Sequence, residues 1–260
     1  DLLEAHPGNV WIYLHETAWA MEKFQDLCPE GFETLKSVAA KTPMLSVSDG
    51  QKRFFESEYG AQHITVIRNT TQNANLDPEN VQTEGKDDTS PAIIMVGTIQ
   101  ARKGPELFSK VADLAQERGK PWRFQWIGHE TGDDELYLSR NVDWAGVLKG
   151  DALANAYKNA SLFFLPSMDD PFPLASLEAM SYGVNVVCYT EVGAAEIIDD
   201  LPGSTAYARY TPEEAFASIE RALSANSDAM QVFETVKPFV DPVHFANVVN
   251  RAIGHEAPSS

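Results

Sequence analysis

Short apolar runs of strand length alternate with helical patterns along most of the chain. Residues 92–96 and 162–165 are almost wholly apolar, which is typical of strands buried on both faces of a parallel sheet. Residues 106–118 instead place their apolar side chains on one face of a helix. The alternation predicts an α/β fold built on a doubly wound, parallel, Rossmann-like sheet.

A polar segment, residues 69–91, divides this pattern and is predicted to be a linker because it is rich in Asn, Asp, Thr and Pro. Before it, strands are expected at 10–14, 44–47 and 64–67, with helices at 32–40 and 51–59. After it, strands are expected at 92–96, 124–127, 142–144, 162–165, 184–189 and 206–208. Further helices are expected at 106–118, 152–158, 174–182, 194–198, 212–223, 232–239 and 244–253. The domains predicted from this division are 1–88, 89–235 and 236–260.

Charge and composition narrow the function. The 260 residues carry 20 Lys and Arg against 38 Asp and Glu, a net charge of −18, which argues against a general nucleic-acid binder. The charge also allows at most a peripheral membrane association through a local basic patch. No run approaches the roughly 18 apolar residues of a membrane span. The two cysteines, Cys28 and Cys188, lie far apart, which favours free thiols and a cytoplasmic location.

The end of the strand at 92–96 has the composition of an anion site. Gly97 follows the strand directly, and Arg102 and Lys103 precede the next helix. Glycine allows a backbone or ligand to approach closely, and a helix N-terminus is electropositive. These residues suit a phosphate or diphosphate. An ordinary loop with two solvated cations is the alternative.

The end of the strand at 162–165 carries two acidic candidates. Asp170 precedes Pro171, which suits the first helical position, so Asp170 is a plausible N-cap. Glu178 lies eight residues later among apolar neighbours and is expected to be partly buried. A buried carboxylate needs a partner, and sugar hydroxyls, an Arg or backbone amides would serve. The adjacent Asp pairs of the chain are interpreted as solvated, so no metal site is predicted.

Taken in order, these segments resemble the retaining glycosyltransferases of family 4, which have the two-lobed GT-B fold. The matching stretches are Val66-Ile67-Arg68-Asn69, Val96-Gly97, Arg102-Lys103-Gly104, Trp126-Ile127-Gly128, Trp144-Ala145-Gly146, Phe164-Leu165-Pro166-Ser167, Asp170-Pro171-Phe172, Leu177-Glu178-Ala179-Met180, Gly183 and Val192-Gly193-Ala194-Ala195-Glu196. The resemblance implies a nucleotide-sugar-binding C-terminal lobe after a partial, truncated N-terminal lobe.

The resemblance implies catalytic roles for three residues. Lys103 matches the lysine that grips the donor diphosphate, Asp170 the first acidic position, and His15 the histidine that faces the donor sugar. Glu178 matches the second acidic position, which holds the ribose. The donor-binding set implied in this way comprises Gly97, Thr98, Arg102, Lys103, Gly146, Val147, Asp170, Phe172, Leu174, Ala175 and Glu178.

Three departures from the family pattern affect the donor site. Thr98 stands where an Arg is usual, so Arg102 would have to replace one cation of the diphosphate site. Asp170 is one methylene shorter than the usual Glu. Pro173 replaces a glycine and has no N–H to offer a phosphate, although Leu174 and Ala175 do.

The predicted function is transfer of a sugar, with retention, from a nucleotide-diphosphate sugar to a hydroxyl of a glycan or lipid-linked acceptor, as in polysaccharide biosynthesis. No cofactor or metal is expected, and the nucleotide-sugar is a substrate. The alternative is a non-catalytic GT-B-like module that binds a sugar nucleotide or a protein. A GT-B-like epimerase or phosphorylase is a third option, which the spacing of the two acidic residues disfavours.

Overall fold

A small parallel sheet opens the part of the chain that the structure describes. The structure is a computed structural model that describes residues 10–82, 89–131 and 138–254. The strands β1 (Ile12–Leu14), β2 (Met44–Ser46) and β3 (Ile64–Val66) pair in this order, with Ile12 opposite Met44 and Met44 opposite Ile64. Residues 10–69 are the small-sheet half below.

Three helices connect and cover these strands: α1 (Ala18–Leu27), α2 (Pro29–Ala39) and α3 (Asp49–Tyr59). Helix α1 was not expected from the apolar pattern. Thr17 is its N-cap: the Thr17 side chain accepts a hydrogen bond of 3.0 Å from the Ala20 amide and so satisfies one of the free amides of the first turn. The capping residue of α3 is Ser48, which accepts from the Gln51 amide at 3.1 Å.

Among the described residues, six parallel strands form the large sheet, in the order β6-β5-β4-β7-β8-β9. They are β4 (Ala92–Val96), β5 (Arg123–Ile127), β6 (Val142–Trp144), β7 (Leu162–Leu165), β8 (Val186–Tyr189) and β9 (Thr205–Tyr207). The strand order reverses between β4 and β7, and a crevice opens at such a point beyond the carboxyl ends of the strands. Residues 89–254 are the large-sheet half below.

The helices of the large-sheet half are α4 (Pro105–Glu117), α5 (Asp151–Lys158), α6 (Leu174–Ser181), α7 (Pro212–Ser224), α8 (Ala229–Val240) and α9 (Pro242–Ala252). Short 3₁₀ turns lie at Pro78–Asn80, Ala101–Lys103 and Gly193–Ile197. Helix α4 packs on α7, and α6 packs on α8. Within the described residues, no helix is both long and apolar enough to cross a membrane.

Aromatic rings fill the core around the large sheet. Phe108 of α4 stacks on Phe164 of β7 with ring centroids 5.5 Å apart, and it meets the edge of Trp126 at 5.3 Å. All three rings are fully buried. Phe164 and Trp126 lie on the strands that flank β4, so this cluster packs against the middle of the sheet. The crevice opens beyond the carboxyl ends of these same strands.

The predicted linker is partly buried against helix α6, although its polar composition suggested only a connection between two units. Thr71 and Asn75 in its first part are buried, and Asn75 donates to Ser181 of α6 through both its backbone amide (2.8 Å) and its side chain (2.9 Å). Polar hydrogen bonds therefore fix this segment to α6, and Ala74 adds an apolar contact with the core of the large-sheet half. Residues 83–88 of the predicted linker lie outside the described residues. The domain limits 1–88, 89–235 and 236–260 stay a prediction.

The two thiols should differ sharply in reactivity. Cys188 of β8 is fully buried, and burial raises the pKa of its thiol, whereas Cys28 is exposed. We expect a chromogenic disulfide reagent to modify one thiol per chain in the native protein and two after unfolding. Rapid modification of both thiols in the native protein would contradict the burial of β8.

Candidate active site

The two loops that leave β4 and β7 meet backbone to backbone. Gly104, which ends the 3₁₀ turn Ala101–Lys103, has φ of +71°, and a Cβ on it would lie 2.1 Å from the Pro166 carbonyl oxygen. The Met168 amide also donates to the Arg102 carbonyl at 2.9 Å. Glycine at 104 is therefore required twice, by its left-handed conformation and by this close approach. The contact brings the cations of one loop to the carboxylate of the other.

Asp170 lies between two cations. The Lys103 ammonium forms an ion pair with the Asp170 carboxylate, and a guanidinium nitrogen of Arg102 lies 3.8 Å from the same oxygen. The Asp170 side chain is 8% exposed, so its charge requires these partners. One carboxylate offsets one of the two cations. An anion arriving here would thus meet one net positive charge.

The prediction that Asp170 is an N-cap, with Pro171 at the first helical position, is wrong. Helix α6 begins at Leu174, and its capping residue Pro173 has extended backbone angles of −70° and 118°. A residue that precedes proline is disfavoured in the helical region, so Phe172 before Pro173 delays the helix. The backbone carbonyl of Asp170 instead accepts a hydrogen bond of 2.9 Å from the Gly193 amide, and the Asp170 carboxylate pairs with Lys103.

The N-terminus of α6, four residues after Asp170, carries backbone donors without acceptors in the described structure. The amides of Leu174 and Ala175 have no acceptor within the described residues, as is usual for a first helical turn. Leu174 is 39% exposed, so ligands can reach this end of the helix. Phe172 is 3% exposed and its ring lies 6.5 Å from that of Phe239, which leaves its backbone as the part that a donor could contact.

Glu178 is buried in α6 and receives three hydrogen bonds. Its Oε1 accepts from the Thr71 hydroxyl at 2.9 Å and from the Asn73 side-chain amide at 3.2 Å. Its Oε2 accepts from the Tyr157 hydroxyl at 2.9 Å. The sequence predicted a buried carboxylate in need of a partner, and the structure supplies hydroxyls and an amide. Thr71, Asn73 and Tyr157 were missed because nothing near Glu178 in sequence points to them.

The ends of β4, β5 and β6 approach closely at three glycines, one after each strand. Gly128 has φ of +156°, and a Cβ there would lie 1.9 Å from the Gly97 carbonyl oxygen. The Gly128 amide donates to the Gly146 carbonyl at 2.8 Å. Val147, next in sequence, is 55% exposed, and Thr98 is half-buried. Gly97, Gly146 and their neighbours thus lie along the carboxyl edge of the large sheet, and their donor-binding role stays a prediction.

His15 lies in the small-sheet half of the chain. It is exposed directly after β1, and its ring lies 4.2 Å from that of Tyr13. No hydrogen bond or ion pair joins its side chain to Lys103, Asp170 or Glu178 within the described residues. The structure therefore brings Lys103, Arg102 and Asp170 into one cluster, and it leaves the predicted role of His15 without a contact.

Glu196 joins the two halves of the chain. This residue of the turn Gly193–Ile197 accepts hydrogen bonds from the Asp49 and Gly50 amides, at 3.0 and 2.8 Å, at the start of α3. Arg68 bridges the carboxylates of Asp49 and Glu196 at 2.8 and 2.9 Å. A carboxylate at a helix N-terminus is favoured by the unpaired amides and the helix dipole. Glu196 therefore acts as a second side-chain cap beside Ser48, supplied from the opposite half.

Asp169 makes a second contact of this kind, since its Oδ2 accepts from the Trp19 amide of α1 at 2.8 Å. Between the contacts of Asp169 and Glu196 lies a cleft of about 450 Å³. Trp19 and Phe54 line it from the small-sheet half, and Met168 and Glu191 line it from the large-sheet half. In the part of the chain that the structure describes, no three His, Cys, Asp or Glu side chains cluster as metal ligands.

The family of this chain follows from its sequence. The family model for the glycosyl transferases group 1 matches residues 77–236, which are 160 of the 260 residues. The chain belongs to this family. The sulfoquinovosyl transferase SQD2 of Arabidopsis thaliana is 33% identical over 121 residues, which are 45% of this chain and 23% of that protein. The chain spans less than half the length of the curated relatives that it matches.

Solved glycosyltransferase structures share the fold. Sucrose-phosphate synthase from Thermosynechococcus elongatus superimposes with a TM-score of 0.75 at 17% identity, over 96% of this chain and 68% of that chain. Anabaena HepE, solved with UDP and glucose, superimposes with a TM-score of 0.70 at 15% identity, over 94% of this chain and 71% of that chain. The fold is therefore GT-B, with a Rossmann-like large sheet, as the sequence predicted.

Replacing Glu196 should loosen the contact between the halves. In Glu196→Ala the Asp49 and Gly50 amides lose their acceptor and Arg68 loses one carboxylate, while the Ser48 cap remains, so we expect the free energy of unfolding to fall by about 2 kcal/mol. Urea unfolding followed by circular dichroism measures this change. Glu191→Ala, an exposed neighbour, is the control and should stay within about 0.5 kcal/mol of the unmodified protein. Equal stability of the two variants would show that the cap contributes nothing.

Proposed function

We propose that this chain is a retaining glycosyltransferase that uses a nucleotide-diphosphate sugar as its donor. The observation that carries the proposal is the cluster of Lys103, Arg102 and Asp170 at the point where the strand order of the large sheet reverses. Ligands of open α/β sheets bind at such points. Helix α6, which follows Asp170 in the chain, carries the unused amides at its start and the buried carboxylate of Glu178, and this combination suits a diphosphate joined to a ribose.

In the proposed complex each part of the donor has its own contacts. Lys103, Arg102 and the amides of Leu174 and Ala175 would hold the diphosphate. Glu178 would accept a hydrogen bond from the ribose. The backbone at Gly97, Gly146 and Val147 would meet the base, along the edge where β4 and β6 end. Asp170 would face the transferred sugar, because it lies beside the cations that hold the phosphate to which that sugar is attached.

Catalysis would come from charge stabilisation at the leaving group. As the bond between the anomeric carbon and the phosphate oxygen breaks, negative charge grows on the diphosphate and the sugar becomes oxocarbenium-like. Lys103, Arg102 and the α6 N-terminus are fixed donors that would stabilise this charge. Because these groups supply the positive charge, the proposed reaction needs no metal ion. The acceptor hydroxyl would attack from the face that the diphosphate leaves and pass its proton to the departing phosphate oxygen, so the new bond forms with retention.

The cleft between the halves is the proposed entrance for the acceptor. It is adjacent to the donor cluster through Asp169, and it combines an exposed indole, that of Trp19, with carboxylates. Aromatic faces and carboxylates are the groups that bind sugars. The relatives support a saccharide product, since one is a sulfoquinovosyl transferase and one neighbour was solved with UDP and glucose. A glycan or lipid-linked acceptor, the assignment to family 4 and a cytoplasmic location remain proposals.

Nucleotide binding is the first test. We expect UDP, GDP or ADP at about 100 times its Kd to stabilise the chain by about 2.7 kcal/mol and to raise its melting temperature. Lys103→Met should weaken binding roughly tenfold or more, because it removes a charge-assisted contact to the diphosphate. Lys110→Met is the matched control, since Lys110 is an exposed residue of α4 paired with Glu106. Absence of a shift with all three nucleotides would refute donor binding by this chain.

Turnover separates the enzyme from a binding module. Two observations favour the binding module as the alternative, namely that Lys103 is already paired with Asp170 and that Thr98 supplies no cation. We expect release of a nucleoside diphosphate from a panel of nucleotide-sugars that depends on an added saccharide acceptor and persists in EDTA. NMR of the product should show the anomeric configuration of the donor. Nucleotide binding without acceptor-dependent release across the panel would favour the module.

A further inference from the structure

The hydrogen bonds around Glu178 leave little of its carboxylate free. Two carboxylate oxygens offer about four lone-pair positions. The donors on Oε1, from Thr71 and Asn73, occupy both positions of that oxygen, and Tyr157 occupies one position of Oε2. No other donor among the described residues reaches the carboxylate, so within them one acceptor direction remains, on Oε2. The carboxylate can therefore accept one further hydroxyl without losing a partner.

The donor direction of each partner is fixed by its own surroundings. The Thr71 hydroxyl accepts from the Asn73 backbone amide at 3.2 Å, so its single proton is directed to Glu178. The ring of Tyr157 stacks on that of Tyr182, with centroids 5.6 Å apart and planes at 13°. Burial and the nearby carboxylate raise the pKa of Tyr157 well above its ordinary value, which keeps its hydroxyl protonated. All three groups therefore act as donors at neutral pH.

These partners come from two separate parts of the chain. Tyr157 lies on α5, within the stretch that the family model matches, whereas Thr71 and Asn73 precede that stretch, which begins at residue 77. The segment that carries Thr71 and Asn73 leaves β3 and is held on α6 by Asn75. The orientation of Glu178 thus depends on the segment that connects the two sheets.

We propose that Thr71, Asn73 and Tyr157 are positioning residues that orient the Glu178 carboxylate and leave it one open acceptor direction for a single ribose hydroxyl. This inference rests on the proposed function, in which Glu178 binds the ribose of the donor. It adds that the ribose contact is made by a carboxylate that the connecting segment has already aligned. None of the three residues needs to touch the donor.

The test compares variants that remove one hydroxyl each. Tyr157→Phe and Thr71→Val keep the shape of the side chain and remove the hydrogen bond to Glu178. Tyr182→Phe is the matched control for the first variant, because it removes a hydroxyl from the stacked ring and that hydroxyl makes no hydrogen bond to Glu178 in the described structure. Thr42→Val, at a buried threonine remote from the site, is the control for the second. Melting temperatures without ligand show that each variant is folded.

Three probes distinguish positioning from a general structural role. They are whichever of UDP, GDP and ADP binds the unmodified chain best, its 2′,3′-dideoxy analogue, and inorganic diphosphate, each titrated by calorimetry. We expect Tyr157→Phe and Thr71→Val to weaken the ribonucleotide about tenfold, the loss of one hydrogen bond through a charged acceptor. The dideoxy analogue and diphosphate should bind these variants within about twofold of the unmodified chain, because neither uses Glu178. Both control variants should bind all three probes normally.

Other results would overturn the inference in recognisable ways. Equal weakening of all three probes would mean that the variants disturb the whole site. Unchanged ribonucleotide binding would mean that the three partners do not orient Glu178. Both results leave the proposed function standing, since the unmodified chain still binds the nucleotide. Failure of the unmodified chain to bind any nucleoside diphosphate would remove the proposed function and this inference together.

Discussion

The contact between the two halves of the chain depends on carboxylates that need hydrogen-bond donors. Glu196, Asp169 and Glu178 belong to the large-sheet half, and each accepts from an amide or hydroxyl outside that half. Leaving a half-buried carboxylate without donors costs more free energy than an ordinary hydrogen bond contributes, so these contacts constrain where the small sheet can sit. The donors to Asp169 and Glu196 are backbone amides at the starts of helices α1 and α3. Rotation of a side chain cannot move these amides. The halves are thereby held by rigid groups.

The same requirement shapes the site within the large-sheet half. Asp170 is satisfied by Lys103 and Arg102, and the glycine contact at residue 104 fixes the loop that carries these cations. The cations are held in place before any ligand arrives, which avoids the cost of ordering long side chains on binding. Because Lys103 is already paired with Asp170, a phosphate that binds here must compete with that carboxylate for the ammonium group. Since Thr98 stands where the family pattern has an Arg, no cation at that position compensates for the share of Lys103 that Asp170 takes.

Strands and helices with a strong apolar pattern were predictable from the sequence, and their ends differ from the prediction by a few residues. Helix α1 was missed because Met21 is its one buried residue, so the apolar pattern was weak, although Thr17 was a usable N-cap signal. The N-cap assignment of Asp170 failed although the sequence held the contrary signal, a proline after Phe172 that opposes helical geometry. Lys103 and Asp170 could be named as functional candidates because each follows a buried strand. Their pairing could not, since it depends on how two loops pack across the switch point.

The partners of Glu178 show the limit of local patterns. Its burial could be inferred from its apolar neighbours, but Thr71 lies 107 positions away in a segment whose polar composition indicated a linker. A polar segment can be buried when its side chains satisfy a charge, and composition alone does not distinguish this case from a solvated loop.

The cationic pair at Arg102 and Lys103 lies in a chain that carries a net charge of −18. At distance, an approaching dianion is repelled by the whole chain, and within a few ångströms it is attracted by these two side chains. The repulsion acts across distances of about 10 Å or more, which is the Debye length at 0.1 M salt. Added salt therefore screens this repulsion more strongly than it screens the short-range attraction. Moderate salt would speed the encounter of a diphosphate with the crevice while it weakens the final ion pairs. The association rate constant and the affinity would then change in opposite directions as ionic strength rises.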